Sequence, residues 1–142
     1  MQRFDEVFSD SYRRIMGDGA YNPAFIARFY EIFLDASPEV SKRFATTDMS
    51  RQKTMLHDSL DTLVDFSRSR RLSAQMQHLA EVHSARGRDI PPDMYTLWLD
   101  SLIATVAAFD PDFDRGVELA WRLMLAPGIC YLQFAYAHPL NT

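Results

Sequence analysis

The sequence is divided by short polar breaks of the kind that begin helices. At Asn22-Pro23 and at Ser37-Pro38, a residue whose side chain can cap a helix comes directly before a proline, which suits the first helical position. Asp110-Pro111 repeats the pattern and predicts a third start, and Asp48 can cap a helix over 49–66. Between the breaks, apolar residues recur every three or four positions, and no segment alternates as a strand does. The sequence therefore predicts an all-α fold of six to eight helices.

The size and charge of the chain limit its class and its partners. Its 142 residues predict one domain over 1–142, and 47% apolar with 24% charged residues is typical of a globular protein. A net charge of -4 gives no electrostatic reason to expect nucleic acid or an anionic membrane as a partner. The single cysteine excludes an internal disulfide, and the charged N-terminal segment lacks the apolar core of a signal peptide. We expect a cytoplasmic protein.

The C-terminal segment has two interpretations. From Leu123 to the end no residue is charged when histidine is neutral, which is a feature of membrane-spanning helices. However, Pro127, Gly128, Gln133 and His138 interrupt the apolar run. We therefore interpret the segment as a buried helix that is bent at the proline.

The common catalytic motifs are missing from the sequence. It contains no glycine-rich phosphate loop and no HExxH or GxSxG pattern. The basic run at 67–71 has no aromatic residue within it, so we interpret it as a solvent-exposed linker and not as a recognition patch. His57 and His78 are not paired with carboxylates at metal-ligand spacing, and we expect both on the surface.

The segment from Leu72 to Ile90 contains the most distinctive histidine. Leu72, Met76, Leu79 and His83 are spaced so that they share one face of a helix, which Ser73 can begin and Gly87 can end. A histidine on an apolar face is either a core residue bonded to the backbone or a ligand whose second nitrogen points into a dry cavity. The spacing alone favours the core residue.

A resemblance to a known family favours the ligand. The segments 27–44, 47–56 and 79–95 and the region of Trp121 resemble bacterial single-domain globins, close to the globin part of flavohaemoglobins. The resemblance covers about residues 12–136 and implies a globin fold around a haem pocket. In that pattern His83 matches the proximal iron ligand, Tyr30 and Gln52 match the polar residues of the distal side, and Phe44 and Leu56 match residues that pack on the haem.

The residue types suit the chemistry that the resemblance implies. Haem b iron needs one strong axial donor, which neutral imidazole supplies. A gas ligand that takes on partial negative charge is stabilised by a buried hydroxyl or amide donor, as Tyr30 and Gln52 would provide. The alternatives are that Tyr30 is a core aromatic with a backbone partner, that Phe44 only packs, and that Gln52 points into solvent.

The resemblance also implies a wider set of cofactor contacts. Arg86 and Arg88 are candidates to pair with the haem propionates, and exposed arginines without that role are the equal alternative. In flavohaemoglobins a tyrosine, matched here by Tyr95, acts on the proximal histidine together with a carboxylate. His138 takes the place of that carboxylate in an ungapped count from Trp121, so the resemblance does not imply strong electron donation to the iron. The remaining haem contacts implied are Leu79, Ile90, Trp98 and Leu102.

We expect a haem globin that binds dioxygen or another diatomic gas, NO or CO, for oxygen binding, gas sensing or NO detoxification. The competing hypothesis is a haem-free globin-fold sensor or interaction module. Enzymatic activity would be at most that of an NO dioxygenase with a separate reductase. We expect a monomer or a homodimer.

Overall fold

The computed structural model describes residues 3–18 and 21–138. These residues form seven helices and no strand, as the sequence predicted for an all-α protein. The helices are α1 Phe4–Met16, α2 Pro23–Asp35, α3 Pro38–Arg43, α4 Met49–Ser69, α5 Ala74–His83, α6 Met94–Phe109 and α7 Arg115–Ala137.

Local capping begins most of these helices where the sequence indicated. The Asn22 side chain accepts hydrogen bonds from the backbone N–H groups at the start of α2, 3.0 Å from that of Ala24. Ser37, Asp48 and Ser73 cap α3, α4 and α5 in the same way. These bonds satisfy donors that have no partner within the helix, so each start is determined by adjacent residues.

The predicted helix start at Asp110-Pro111 is wrong. Asp110 follows the last residue of α6, and α7 begins only at Arg115, where the Asp114 cap accepts from the backbone N–H of Val117 at 2.8 Å. The carboxylate of Asp110 accepts from the backbone N–H of Asp112 at 2.9 Å, and also from Ser11 at 2.6 Å and from Arg14 at 2.7 Å. The local bond of a cap is therefore present, but the chain makes a turn at 111–112 and the helix begins only after Asp114.

The boundaries around α5 also differ from the predicted ones. Helix α4 continues to Ser69 and ends at Arg70 in the left-handed conformation, with φ 56°, so most of the predicted linker at 67–71 is helical. Leu72 precedes α5 and is 41% exposed, which removes it from the apolar face. Helix α5 ends at His83 and not near Gly87, because the chain turns back over the helix end. A Cβ atom at Gly87 would lie 2.4 Å from the carbonyl oxygen of Val82.

Helix α7 runs through the middle of the core. It packs against α1 and α4, while α2 packs against α6. Trp121 is fully buried, and Gly128 lies so close to α4 that a Cβ atom there would be 2.4 Å from the Leu63 side chain. The helix is continuous through Pro127, and its bend stays a prediction. No helix in the described part of the chain is long and apolar enough to cross a membrane.

Candidate functional site

A cavity of about 330 Å³ opens between α4 and α5 and extends toward α2, α6 and α7. Its walls are mainly apolar, with a few polar groups that face inward. This is the usual make-up of a small-molecule site. Ten of the residues that the sequence singled out line it: Tyr30, Phe44, Gln52, Leu56, Leu79, His83, Arg88, Ile90, Tyr95 and Trp98.

His83, the last residue of α5, is held in one orientation. Its Nδ1 atom lies 2.9 Å from the carbonyl oxygen of Leu79, one turn earlier. Because a carbonyl oxygen can only accept, Nδ1 carries the proton and Nε2 keeps its lone pair. Burial lowers the pKa of His83, and the nearby charge of Arg88 acts in the same direction. The imidazole is therefore neutral and has one nitrogen available as a metal ligand.

Tyr30 and Gln52 bring two donors together in the same cavity. The Gln52 amide Nε2 donates to the Tyr30 hydroxyl oxygen at 3.1 Å, and that hydroxyl donates to the backbone oxygen of Gln52 at 3.4 Å. Tyr30 is 3% exposed, and burial raises its pKa to about 12, which the hydrogen bond from Gln52 opposes. The phenol is therefore protonated at neutral pH and remains a donor. Gln52 points to Tyr30 and not into solvent.

Aromatic rings support this side of the cavity. The ring of Phe44 meets that of Tyr30 edge to face at a centroid distance of 6.0 Å, and that of Phe33 at 6.1 Å. Trp98 contacts Phe29 at 5.9 Å in the same manner. Such contacts restrict the Tyr30 ring, so its hydroxyl is presented from a rigid wall.

Two residues of the predicted set are not at the cavity. Arg86 is exposed on the segment between α5 and α6, and only its neighbour Arg88 is in the lining. Leu102 is fully buried in the core, and it is Trp98, one turn earlier on α6, that lines the cavity. Haem contacts by Arg86 and Leu102 stay predictions without support from the cavity lining.

Tyr95 and His138 are not brought together. The hydroxyl of Tyr95 is buried at the cavity and has no hydrogen-bond partner among the described residues. His138 is exposed at the end of α7, where Nδ1 donates to the carbonyl oxygen of Phe134 at 2.9 Å and the ring stacks on Phe134. His138 therefore does not take the place of the carboxylate that partners the matching tyrosine in flavohaemoglobins.

The same arrangement of helices occurs in a solved structure. A protein of Pseudomonas aeruginosa PAO1, described as structurally highly homologous to a human hemoglobin, is 34% identical to this chain. The match covers 94% of this chain and 98% of that one, with a TM-score of 0.85. The chain is a globin. No protein-family model matches its sequence, and no curated protein matches it significantly.

Sequence reasoning missed several residues that line the globin's cavity. Met55, Ser59 and Thr62 follow Gln52 at helical spacing on α4, and that spacing could have identified them. Val82 directly precedes His83, whereas Arg43 and the α7 residues carried no distinguishing pattern. His78 is exposed, as predicted, but lies at the cavity edge; His57 is partly buried against Tyr21. The missed lining residues are Phe33, Arg43, Met55, Asp58, Ser59, Thr62, Leu63, Gln75, His78, Val82, Met94, Ile129 and Leu132.

The globin's cavity fits a haem group. A macrocycle is a large apolar plate with carboxylates at one edge, and its iron needs a protein donor on one face. Leu56, Ile90 and Trp98 supply apolar wall, and His83 supplies a neutral nitrogen. Arg43 and Arg88 supply positive charge in the lining. The described residues include no group of three or more histidine, cysteine and acidic side chains that could hold a metal ion.

Proposed function

We propose that this globin binds haem b through His83 and binds a diatomic gas on the side of Tyr30 and Gln52. One observation carries the proposal: an imidazole with a free Nε2 lines the same cavity as a buried pair of hydrogen-bond donors. Haem, when bound, would supply an iron atom that can bind such a gas. The protein's residues orient the cofactor, exclude water and donate to the ligand.

The proximal side depends on the hydrogen bond of His83. The bond from Nδ1 to the Leu79 carbonyl fixes both the tautomer and the ring orientation, so Nε2 is directed without further rearrangement. Because burial favours the neutral imidazole, no proton has to leave before a metal binds. The ligand is therefore ready in the folded apo-protein.

On the distal side, the Tyr30 hydroxyl donates only a long, weak hydrogen bond. Its present acceptor, the backbone oxygen of Gln52, is 3.4 Å away, beyond the usual range for an O–H donor. The Gln52 amide holds the phenol oxygen from the other side at 3.1 Å. Tyr30 can therefore turn its proton to a polarised gas ligand at little cost, while Gln52 keeps the ring in place.

The physiological role follows from the ligand and from any electron donor. Oxygen binding, gas sensing and NO detoxification all use a pocket of this kind. Repeated NO detoxification requires reduction of the iron, so we propose a separate reductase as the partner for that activity. NO consumption by the purified chain with NADH should stop after about one NO per haem and continue when a reductase is added.

An absorption titration tests the proposal. Apo-protein should bind haem in a 1:1 ratio with a sharp Soret band, and His83→Gly should abolish this unless imidazole is added. His78→Gly is the matched control, because His78 is on the same helix at the exposed edge of the cavity. An unchanged Soret band in His83→Gly would reject His83 as the ligand. No haem binding by the wild type would favour the haem-free module.

A further inference from the structure

Arg43 joins two segments at the cavity. It is the last residue of α3, and its Nη1 atom donates to the backbone oxygen of Arg88 at 3.2 Å. Arg88 belongs to the segment 84–93 between α5 and α6, which directly follows His83. Both arginines are in the cavity lining. The guanidinium of Arg43 is therefore held beside the cavity and not extended into solvent.

The guanidinium of Arg43 has an unused donor. Its Nε atom is buried and has no hydrogen-bond partner in the described part of the chain, and no ion pair there includes Arg43. The carboxylate of Asp89, the residue after Arg88, accepts a hydrogen bond from the Tyr136 hydroxyl and forms no ion pair with Arg43 among the described residues. A buried charged donor without a partner is costly, and a planar guanidinium matches a carboxylate. The donor is thus available to an anion that enters the cavity.

We propose that Arg43, with Arg88, binds a carboxylate at the edge of the cofactor and makes the cavity selective for a macrocycle that carries free carboxylates. This inference rests on the proposed function, because the propionates of haem b are those carboxylates. Arg43 is outside the pair that the sequence indicated. It takes the role proposed there for Arg86, which is exposed and absent from the cavity lining.

Removal of the Arg43 charge should leave the fold in place. The segment 84–93 has other attachments, since the backbone N–H of Ala85 donates to the carbonyl oxygen of Tyr136 at 3.2 Å. The Tyr136–Asp89 hydrogen bond holds the same segment. The bond from Arg43 to Arg88 is therefore one of several, and the specific effect of its loss is on the bound carboxylate.

Paired titrations of the full-length apo-protein test this role. One uses haem b, and the other uses its dimethyl ester, in which both carboxylates are blocked. Arg43→Gln should weaken haem b binding about tenfold, as expected for one charged hydrogen bond, and leave the ester's affinity unchanged. Arg43→Lys keeps the charge without the fork and should be intermediate. Lys42→Gln removes the same charge from the neighbouring exposed residue and should behave as the wild type.

The outcomes separate the role from its alternatives. Equal weakening of haem b and ester by Arg43→Gln would mean that Arg43 is only structural, and thermal unfolding of the apo-variant would show it. A selective loss in Arg86→Gln in place of Arg43→Gln would assign the carboxylate to Arg86. Either result overturns the inference while haem binding itself stands. Failure of the wild type to bind haem b would instead overturn the proposed function and the inference with it.

Discussion

Buried polar groups at two ends of this globin are satisfied to very different degrees. Between α1, α6 and α7, Ser11 donates to Asp110 at 2.6 Å and accepts from the Trp121 indole N–H at 2.9 Å, and Arg14 binds the same carboxylate through two nitrogens. We call these four residues the Asp110 network. At the cavity, the Tyr95 hydroxyl and Arg43 Nε have no partner among the described residues.

This difference predicts which substitutions change the stability of the fold and which change ligand binding. A buried polar group costs free energy unless it is hydrogen-bonded, so a fully bonded network is a structural element. Groups that stay unpaired beside a cavity are instead available to a ligand. We therefore expect substitutions in the Asp110 network to change the unfolding free energy, and substitutions at the cavity to change mainly the affinity for haem and gas.

The largest effect on stability is expected for Asp110→Asn. Loss of a fully buried ion pair costs about 3–5 kcal/mol. Because the Arg14 side chain is 29% exposed and has Asp112 at 3.6 Å, we expect a decrease of about 2–3 kcal/mol in the unfolding free energy of the apo-protein. Chemical denaturation measures it, with haem affinity of the folded variant as the control. A tenfold change in that affinity would contradict the separation.

The same substitution should reduce the sensitivity of the fold to acid. Burial alone would raise the pKa of Asp110, but hydrogen bonds from Arg14 and Ser11 outweigh it and hold that pKa below its usual value. Because the pKa of Asp110 is lower in the folded protein than in the unfolded chain, the ionised carboxylate stabilises the fold above about pH 4. This stabilisation is lost as the pH falls through the folded-state pKa. Between pH 6 and pH 3, the wild type should thus lose more unfolding free energy than Asp110→Asn. Equal losses of unfolding free energy in the two proteins would show that Asp110 does not contribute to the acid sensitivity of the fold.

Most of the fold could be predicted because helix starts are local. The side chains of Asn22 and Ser37 accept hydrogen bonds from backbone N–H groups two residues ahead, so the adjacent sequence predicts both helix starts. Asp110 also accepts from the backbone two residues ahead, yet a turn and not a helix follows, and its carboxylate binds the distant Arg14 as well. A local capping bond therefore predicts a change of chain direction, but it does not by itself decide whether a helix continues from it.

The sequence predicted the site residues whose side-chain type indicates a role. It missed residues that line the cavity only because of how the backbone orients them. Tyr30, Gln52 and His83 carry chemistry that the family resemblance could assign. Arg86 and Arg88 have the same side chain, and the turn at 84–89 decides which one lines the cavity. Asp89 has φ 55° in that turn, a conformation that the sequence does not announce. Arg43 was missed because no pattern in the neighbouring sequence indicates that its side chain faces the cavity.

A smaller effect, mainly on ligand binding, is expected for Tyr30→Phe. One buried hydrogen bond is worth about 1–3 kcal/mol, or about a 5- to 150-fold change in an equilibrium constant. The loss should appear as faster release of dioxygen, while carbon monoxide, which is less polarised, should respond far less. Gln52→Leu should act in the same direction, and the double variant should be non-additive. Stopped-flow dissociation measures all four proteins, and equal small effects on both gases would mean that Tyr30 only packs.

The smallest effect separates the two tyrosines of the cavity. The Tyr95 hydroxyl is buried without a partner in the described chain, so its removal in Tyr95→Phe takes away a desolvation cost and no hydrogen bond. The unfolding free energy of the apo-protein should stay the same or rise by about 1 kcal/mol. Tyr30→Phe is the matched control, because its hydroxyl is bonded to Gln52 and its loss should lower that free energy by about 0.5–1.5 kcal/mol. Denaturation of both variants in parallel gives the comparison. A decrease of about 1 kcal/mol or more in Tyr95→Phe would mean that its hydroxyl has a bonding partner in solution, and the contrast between the cavity and the Asp110 network would fail at that residue.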